Sequence, residues 1–175
     1  MQALAKLKHP LERALEIVVI LLMAAMFVIV VLGVTYRKLG AALVWYDEVA
    51  EISLAWLTYY GAALAALKRG HIGMATLVER GPVAWRKAAF VAAEAVVFAF
   101  FIVLAWVGWR VVEVLSIDFL VSLPEISTQY TQSVIPIGSV LFIIAETLSI
   151  PQAWAKIGKA AGPAAATAEP GRALQ

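Results

Sequence analysis

Carboxylates within or beside long apolar segments are the groups in this sequence that could do chemistry. Glu94 and Glu146 each interrupt such a segment, and Glu48 and Glu51 lie where another one begins. A lone carboxylate in hydrocarbon is costly, so each should find a cation, a hydroxyl group or water. Such a residue can bind a proton or a cation, or it can form a structural pair with another helix or subunit.

The residues that would lie at the middle of a membrane help to choose between these uses. They are residues 23–29, 98–102 and 140–144. None of them is charged, whereas an ion-coupling site usually needs a dense cluster of polar groups at that depth. We therefore interpret Glu94 and Glu146 as members of interhelical or inter-subunit ion pairs, and Lys68 or Arg69 are candidate cations. A proton or cation site is the alternative.

Other kinds of chemistry have little support in the sequence. There is no cysteine, which excludes disulfides, thiolate nucleophiles and cysteine-bound metals. His9 and His71 lie outside the apolar segments, which argues against a haem anchor, and we interpret His71 as a hydrogen-bonding loop residue rather than a pH sensor. Motifs of hydrolases, zinc proteases and phosphate-binding loops are missing. We predict that the protein is not an enzyme and that it binds no cofactor, metal or nucleic acid.

Apolar segments long enough to cross a bilayer dominate the composition. The chain of 175 residues is 63% hydrophobic and 15% charged, and a span needs about 20 mostly apolar residues. We predict an all-α integral membrane four-helix protein with one membrane domain, residues 1–155. Its spans are predicted at about residues 15–36, 48–67, 88–112 and 131–150. The Ala-, Pro- and Gly-rich residues 156–175 are predicted to be a disordered tail.

The distribution of Lys and Arg predicts the orientation of the spans. Eleven of these residues lie in the N-terminal segment, the loop after the second span and the C-terminal tail, whereas three lie in the other two loops. Because cytoplasmic segments carry the excess of positive charge, both termini and the tail are predicted to be cytoplasmic. Trp45 then falls at the outer interface, where aromatic side chains are enriched.

The second span carries one face of small and polar residues. At 100° per residue, this small-residue face contains Glu48, Glu51, Ala55, Thr58, Ala62 and Ala65. Small side chains let two membrane helices approach closely, so we interpret the face as a docking surface for another helix. The alternative is that both glutamates lie at headgroup level in water and only mark the start of the helix.

A proline and a glycine distinguish the fourth span. Pro136 and Gly138 fall in its outer half, where proline frees a backbone carbonyl and kinks a helix. Broken helices can build ion sites in transporters, but a single kink without paired polar residues favours a role in shape-fitting.

Several motifs at fixed spacings resemble those of a known family. They are Tyr36-Arg37-Lys38, Trp45-Tyr46-Asp47-Glu48, Trp56, Gly61-Ala62-Ala63, Lys68-Arg69-Gly70-His71-Ile72, Tyr130 and Ile135-Pro136-Ile137-Gly138. In this order the chain resembles the small membrane subunit, of the DctQ type, of the tripartite ATP-independent periplasmic (TRAP) transporters. The resemblance runs from about residue 11 to residue 151.

The resemblance implies a function and partners. Such transporters import organic acids, often carboxylates, across the bacterial inner membrane with a sodium gradient. They combine a periplasmic solute-binding protein, a large many-span permease that carries substrate and sodium, and this small subunit beside the stationary scaffold of the permease. Lipids are its other partners. We take as subunit-interface candidates Trp45, Glu48, Glu51, Ala55, Thr58, Ala62, Arg69, His71, Glu94, Pro136 and Glu146.

Two other functions remain open at this point. An independent small proton-coupled four-helix transporter would use Glu94 or Glu51 as its essential carboxylate. A membrane anchor for a redox or signalling partner is the other possibility, although the spans contain no histidine or cysteine to hold a redox group.

Overall fold

The described part of the chain is mainly helical. The structure is a computed structural model that describes residues 2–68 and 82–159, with side chains described for residues 8–68 and 82–155. The helices are α1 (Gln2–Lys38), α2 (Tyr46–Lys68), α3 (Val83–Val114), α4 (Thr128–Gln132) and α5 (Val134–Lys159), and a 3₁₀ turn, Leu115–Ile117, follows α3. Within this part of the chain there is no extended strand, only an isolated bridge between Phe119 and Ser127.

Within residues 2–68 and 82–159, four segments are long and apolar enough to cross a membrane. They are Lys8–Lys38, Tyr46–Lys68, Val83–Ile117 and Thr128–Ala155. This confirms the predicted all-α architecture and the number of spans. The helices are longer than the predicted spans, because a helix continues into its polar flanks wherever the backbone hydrogen bonds allow it.

The last span is interrupted near Pro136. The short helix α4 ends at Gln132, and α5 begins at Val134, so Pro136 lies in the first turn of α5. Proline has no N–H, and its ring conflicts with the carbonyl group four residues earlier, but both effects cost little at a helix start. The interruption is therefore at Ser133, and the helix then continues through Pro151 to Lys159.

Contacts between the helices show how they run. Gly33 of α1 lies beside Tyr46 at the start of α2, and Lys68 at the end of α2 pairs with Glu16 near the start of α1. These two helices are therefore antiparallel. The helices α2 and α5 run in the same direction, because Tyr59 contacts Gly138 and residues further along both helices share one cluster.

The shared cluster is the apolar core of the chain. It consists of Leu15, Ala63, Ala66, Leu67, Phe142, Ala145 and Leu148. The helix α5 is central, since it packs against α2 on one side and α3 on another. A stacked pair, Phe101 and Phe142, joins α3 to α5 with ring centroids 3.7 Å apart and planes at 9°.

Two glycines allow the central helix to approach its neighbours closely. A β-carbon at Gly138 would lie 2.6 Å from Cβ of Tyr59 on α2. A β-carbon at Gly108 on α3 would lie 2.7 Å from Cγ2 of Ile135 and 3.2 Å from Cδ of Pro136. Pro136 thus takes part in helix packing, which agrees with the predicted role in shape-fitting.

Candidate functional site

The carboxylate of Glu48 binds the backbone of a distant loop. Its Oε1 accepts a hydrogen bond from the backbone N–H of Val121 at 3.0 Å, and its Oε2 accepts one from Ser122 N–H at 2.8 Å. The hydroxyl group of Ser122 also donates to the carbonyl oxygen of Val44 at 3.2 Å. Glu48 is therefore hydrogen-bonded, as predicted, but its donors belong to the same chain.

The loop that Glu48 holds is an internally bonded hairpin, residues 117–128, which we name the connecting hairpin. The N–H of Leu120 donates to the carbonyl of Ile126 at 3.0 Å, and the N–H of Thr128 donates to the carbonyl of Asp118 at 2.9 Å. The hydroxyl oxygen of Ser127 caps α4 by accepting a hydrogen bond from Gln129 N–H at 3.3 Å. The connecting hairpin therefore has a defined shape and a fixed position over the start of α2.

A second polar contact ties α2 to the start of the last span. The indole Nε1–H of Trp56 donates to the carbonyl oxygen of Thr131 at 2.9 Å. Thr131 belongs to α4, the short helix before the interruption. Together, Glu48 and Trp56 hold the connecting hairpin and α4 against the first half of α2. The sequence motifs include Trp56 but do not indicate its acceptor.

Half of the small-residue face of α2 points away from the rest of the chain. Glu51, Ala55 and Thr58 are exposed, and Ala62 and Ala65 are half-buried. The hydroxyl group of Thr58 donates to the carbonyl oxygen of Leu54 at 2.8 Å, so it does not need an external partner. The face is open at Glu51, Ala55 and Thr58, whereas Ala62 packs against the apolar core.

The face that α2 uses inside the chain lies next to the small-residue face and overlaps it at Ala62, which also packs against the apolar core. Ala63, Ala66 and Leu67 are fully buried against α1 and α5, and Tyr59 contacts Gly138. No motif in the sequence indicated this face. The spacing of three and four residues between Ala63, Ala66 and Leu67 was the available signal, but it differs little from the spacing of alanines on the small-residue face.

A family comparison agrees with the motifs of the sequence. Residues 26–156 match the family model described as tripartite ATP-independent periplasmic transporters, DctQ component. The chain belongs to the DctQ family. Members of this family are the small components of TRAP transporters and work in complexes with a large permease and a solute-binding protein. No curated protein matches the chain significantly.

DctQ membership gives the chain a role in transport and confirms the resemblance seen in the motifs. It is a family of transporter components and not of enzymes. The matched residues include the small-residue face, the connecting hairpin and the interruption at Ser133. The geometry described above therefore belongs to the part of the chain that defines the family.

The remaining carboxylates of this DctQ chain differ in their surroundings. Glu146 is buried in α5, where 4% of its surface is exposed, and Glu94 is half-buried on α3. The backbone carbonyl oxygen of Glu146 accepts a hydrogen bond from the Ser149 hydroxyl group at 2.9 Å. The burial of Glu146 places this residue inside the chain and not on a surface that would contact lipid.

Lys68, one of the predicted cations for these carboxylates, has other partners. Within the described ranges its ion pairs are with Glu16, at hydrogen-bonding distance, and with Glu12 at 3.8 Å. Both glutamates belong to α1, so Lys68 joins the end of α2 to α1. Arg69 and His71, the other interface candidates at this end, lie outside the described residues. Trp45, at the opposite end of α2, is half-buried.

No metal site is evident in residues 2–68 and 82–159. Groups of three or more His, Asp or Glu residues that could hold an ion do not occur there. Two features of the described residues suit a protein subunit. One is the connecting hairpin held against α2 by Glu48, with Trp56 bonded to α4. The other is the exposed part of the small-residue face of α2.

Proposed function

We propose that this chain is the small permease subunit of a sodium-driven TRAP transporter that imports organic acids into a bacterial cell. The observation that carries the proposal is the open small-residue face of α2, together with membership of the DctQ family. In this proposal the large permease carries substrate and sodium. The small subunit stabilises the stationary part of that permease.

The small-residue face is the proposed contact with the large permease. In lipid, helices associate through close packing and polar contacts, so small side chains mark protein contacts better than large ones do. Ala55 and Thr58 are exposed at the middle of α2, where a partner helix can approach closely. Glu51 is exposed nearer the end of α2, and we propose that it pairs there with a cation or a hydrogen-bond donor of the permease.

The residues at the middle of the membrane support an accessory role. The segments at the middle of the membrane carry no charged residue. An independent proton-coupled transporter would use Glu94 or Glu51, and Glu51 lies in the first turns of α2, away from the middle of the membrane. Family membership favours the subunit over that alternative. We propose that Glu94 and Glu146 are structural, as members of ion pairs within the chain or with the permease.

Co-purification tests the assembly and the proposed face together. A tagged chain extracted from its native membrane in mild detergent should carry a large many-span protein in near-equal amount. Ala55→Phe should remove most of that partner, because a bulky ring prevents the close approach of a second helix. Quantitative mass spectrometry of the eluted proteins measures the ratio.

Ala93→Phe on α3 is the matched control, since Ala93 is also an exposed alanine of a long apolar helix. It should keep the partner at the wild-type ratio. If Ala55→Phe retains the permease as well as Ala93→Phe does, the small-residue face is turned to lipid. If the wild-type chain elutes without any large membrane protein, the subunit assignment itself is wrong.

We also propose that both termini are cytoplasmic, because eleven of the fourteen Lys and Arg residues lie on that side. The connecting hairpin then lies on the periplasmic side, where the solute-binding protein would dock. A single cysteine at Ala42 should react with a membrane-impermeant maleimide in cells whose outer membrane has been made permeable, whereas one at Gln2 should react only after lysis. The reverse pattern would show the opposite orientation.

A further inference from the structure

The connecting hairpin turns three large apolar side chains away from the protein. Ile117, Phe119 and Val121 are 80%, 56% and 94% exposed, whereas Leu120 between them is 8% exposed. Neighbouring residues of an extended segment point to opposite sides. Because Leu120 is buried on one side, its neighbours Phe119 and Val121 point to the exposed side. Large apolar residues that are this exposed, side by side and on a well-ordered segment, need an apolar environment.

The depth of this segment in the membrane follows from its attachment to α2. Val121 and Ser122 are hydrogen-bonded to Glu48 in the first turn of α2. With 23 residues, α2 is about 35 Å long, only slightly longer than the hydrocarbon core of about 30 Å. The first turn of α2 therefore lies at the edge of the hydrocarbon, and the hairpin lies at the same depth.

The exposed side chains continue a surface that already faces the membrane. An apolar stripe at helical spacing runs along α3 and is formed by Val96, Phe100, Val103, Val107 and Val114. These side chains are 43–71% exposed. The stripe ends at Val114, and Ile117 follows it in the 3₁₀ turn. The hairpin thus extends the exposed apolar surface of α3, which contains one exposed cation, Arg110, between Val107 and Val114, and one exposed carboxylate, Asp118, after Ile117.

The backbone of the segment suits a region that is poor in water. The N–H of Asp118 donates to the carbonyl of Leu115 in the 3₁₀ turn, and that of Leu120 donates to the carbonyl of Ile126. The N–H groups of Val121 and Ser122 donate to Glu48. Unpaired N–H groups are costly close to hydrocarbon, and four of the five from residue 118 to residue 122 are paired within the chain. Glu48 therefore supplies the acceptors that the hairpin needs at this depth.

We propose that the connecting hairpin is a membrane-inserted element, in which Ile117, Phe119 and Val121 contact lipid at the boundary between headgroups and acyl chains. Lipid fits better than a protein partner, because this surface consists of large side chains, whereas the small-residue face of α2 has the side chains that allow close helix packing. Glu48 acts as the clamp that holds the hairpin at this depth. The proposal does not depend on the identity of the transporter or of its substrate.

Site-directed spin labelling can test the insertion cleanly because the chain has no cysteine of its own. Val121→Cys and Phe119→Cys report on the hairpin, Val96→Cys is the reference in the lipid, and Glu125→Cys is the reference in water, since Glu125 is an exposed charged residue of the same hairpin. The labelled full chain is placed in nanodiscs of phosphatidylethanolamine and phosphatidylglycerol. Relaxation of the label by oxygen and by a water-soluble nickel chelate is then measured.

Labels at positions 119 and 121 should respond to oxygen several-fold more strongly, relative to nickel, than the label at position 125 does. Their ratios should lie between those of positions 125 and 96. A ratio at 119 and 121 equal to that at 125 would place the hairpin in water and overturn the proposal.

A second measurement, with the co-purified large permease in the same nanodiscs, separates lipid from protein. The oxygen response at positions 119 and 121 should persist. Loss of access to both reagents at these positions, with position 96 unchanged, would show that a protein covers the hairpin and would also overturn the proposal.

Discussion

Gly138→Leu should destabilise the chain by about 3 kcal/mol, at the upper end of the cost of overpacking a well-packed interior. Even a single β-carbon at this position would lie 2.6 Å from Cβ of Tyr59. Because Cβ of Tyr59 is attached directly to the backbone of α2, rotation of its ring cannot remove the conflict. We expect a large fall in the thermal midpoint of the purified chain in detergent. Size-exclusion chromatography with fluorescence detection after heating measures that midpoint.

Gly61→Leu is the matched control for this effect. Both glycines lie in the interior of a helix, and both substitutions remove the weak helix propensity of glycine, but a β-carbon at Gly61 would meet nothing within 4 Å. The control should therefore leave the thermal midpoint unchanged or raise it. Equal destabilisation by both leucines would show that loss of glycine itself, and not the contact with Tyr59, is responsible.

A double-mutant cycle can assign the effect to one pair of residues. Tyr59→Gly removes both the β-carbon and the ring that a leucine at position 138 would meet, so the double variant should be more stable than the two single effects predict, by about 1 kcal/mol or more. Simple additivity would place the conflict elsewhere on the surface between α2 and α5.

Glu48→Ala should release the connecting hairpin from α2. The substitution removes the acceptor for both Val121 N–H and Ser122 N–H, and no other side chain of the hairpin replaces it in the structure described for residues 117–128. Amide hydrogen exchange of Val121 and Ser122 should accelerate by about tenfold or more, because loss of an ordinary hydrogen bond shifts a local opening equilibrium by about that factor. Mass spectrometry of peptides that cover the hairpin measures the change.

Glu51→Ala is the control for Glu48→Ala. Glu51 is an acidic residue one turn further along α2, and it is exposed. Its replacement should leave hydrogen exchange in the hairpin as it is in the wild type, while co-purification of the large permease reports on its proposed contact. Faster exchange of the hairpin in both variants would indicate a general effect of negative charge at the start of α2, in place of the specific clamp.

The two structural predictions concern two places along α2, its middle at Tyr59 and its start at Glu48. Gly138 sets the distance between α2 and α5 in the interior, and Glu48 sets the position of the connecting hairpin at the start of α2. If both contacts hold, α2 is a fixed element whose remaining side, the small-residue face, keeps a constant shape. A constant shape is what a subunit that stabilises a larger permease must offer, since preorganised surfaces lose less conformational entropy on association.

The four spans, the all-α architecture and the family could be predicted from the sequence alone. Span number depends on local hydropathy and on the thickness of the bilayer, and every backbone group within a span must be paired in its own helix. The family could be predicted because its motifs lie at the ends of the spans, where Trp45, Glu48, Lys68 and Pro136 occur at recognisable spacings. These features need no information about contacts between distant residues.

Only the tertiary structure decided which face of α2 packs inside the chain. Apolar residues surround much of each helix, so burial of Ala63 and Ala66 and exposure of Ala55 cannot be separated by hydropathy. The choice depends on shape, in this case on the fit of Tyr59 against Gly138. Shape complementarity is a property of two helices together, so the sequence of one helix does not contain it.

The partners of the polar residues were likewise decided by the tertiary structure. Glu48 was expected to need a hydrogen bond because a carboxylate near hydrocarbon is costly, but its donors are 73 and 74 residues away in the chain. Lys68 was expected to reach Glu94 or Glu146, and it pairs with Glu16 and Glu12 of α1. The sequence by itself determined that these charges must be paired, because solvation of a charge is a local property. Only the packing of α1 and the connecting hairpin against α2 decided with which residues they pair.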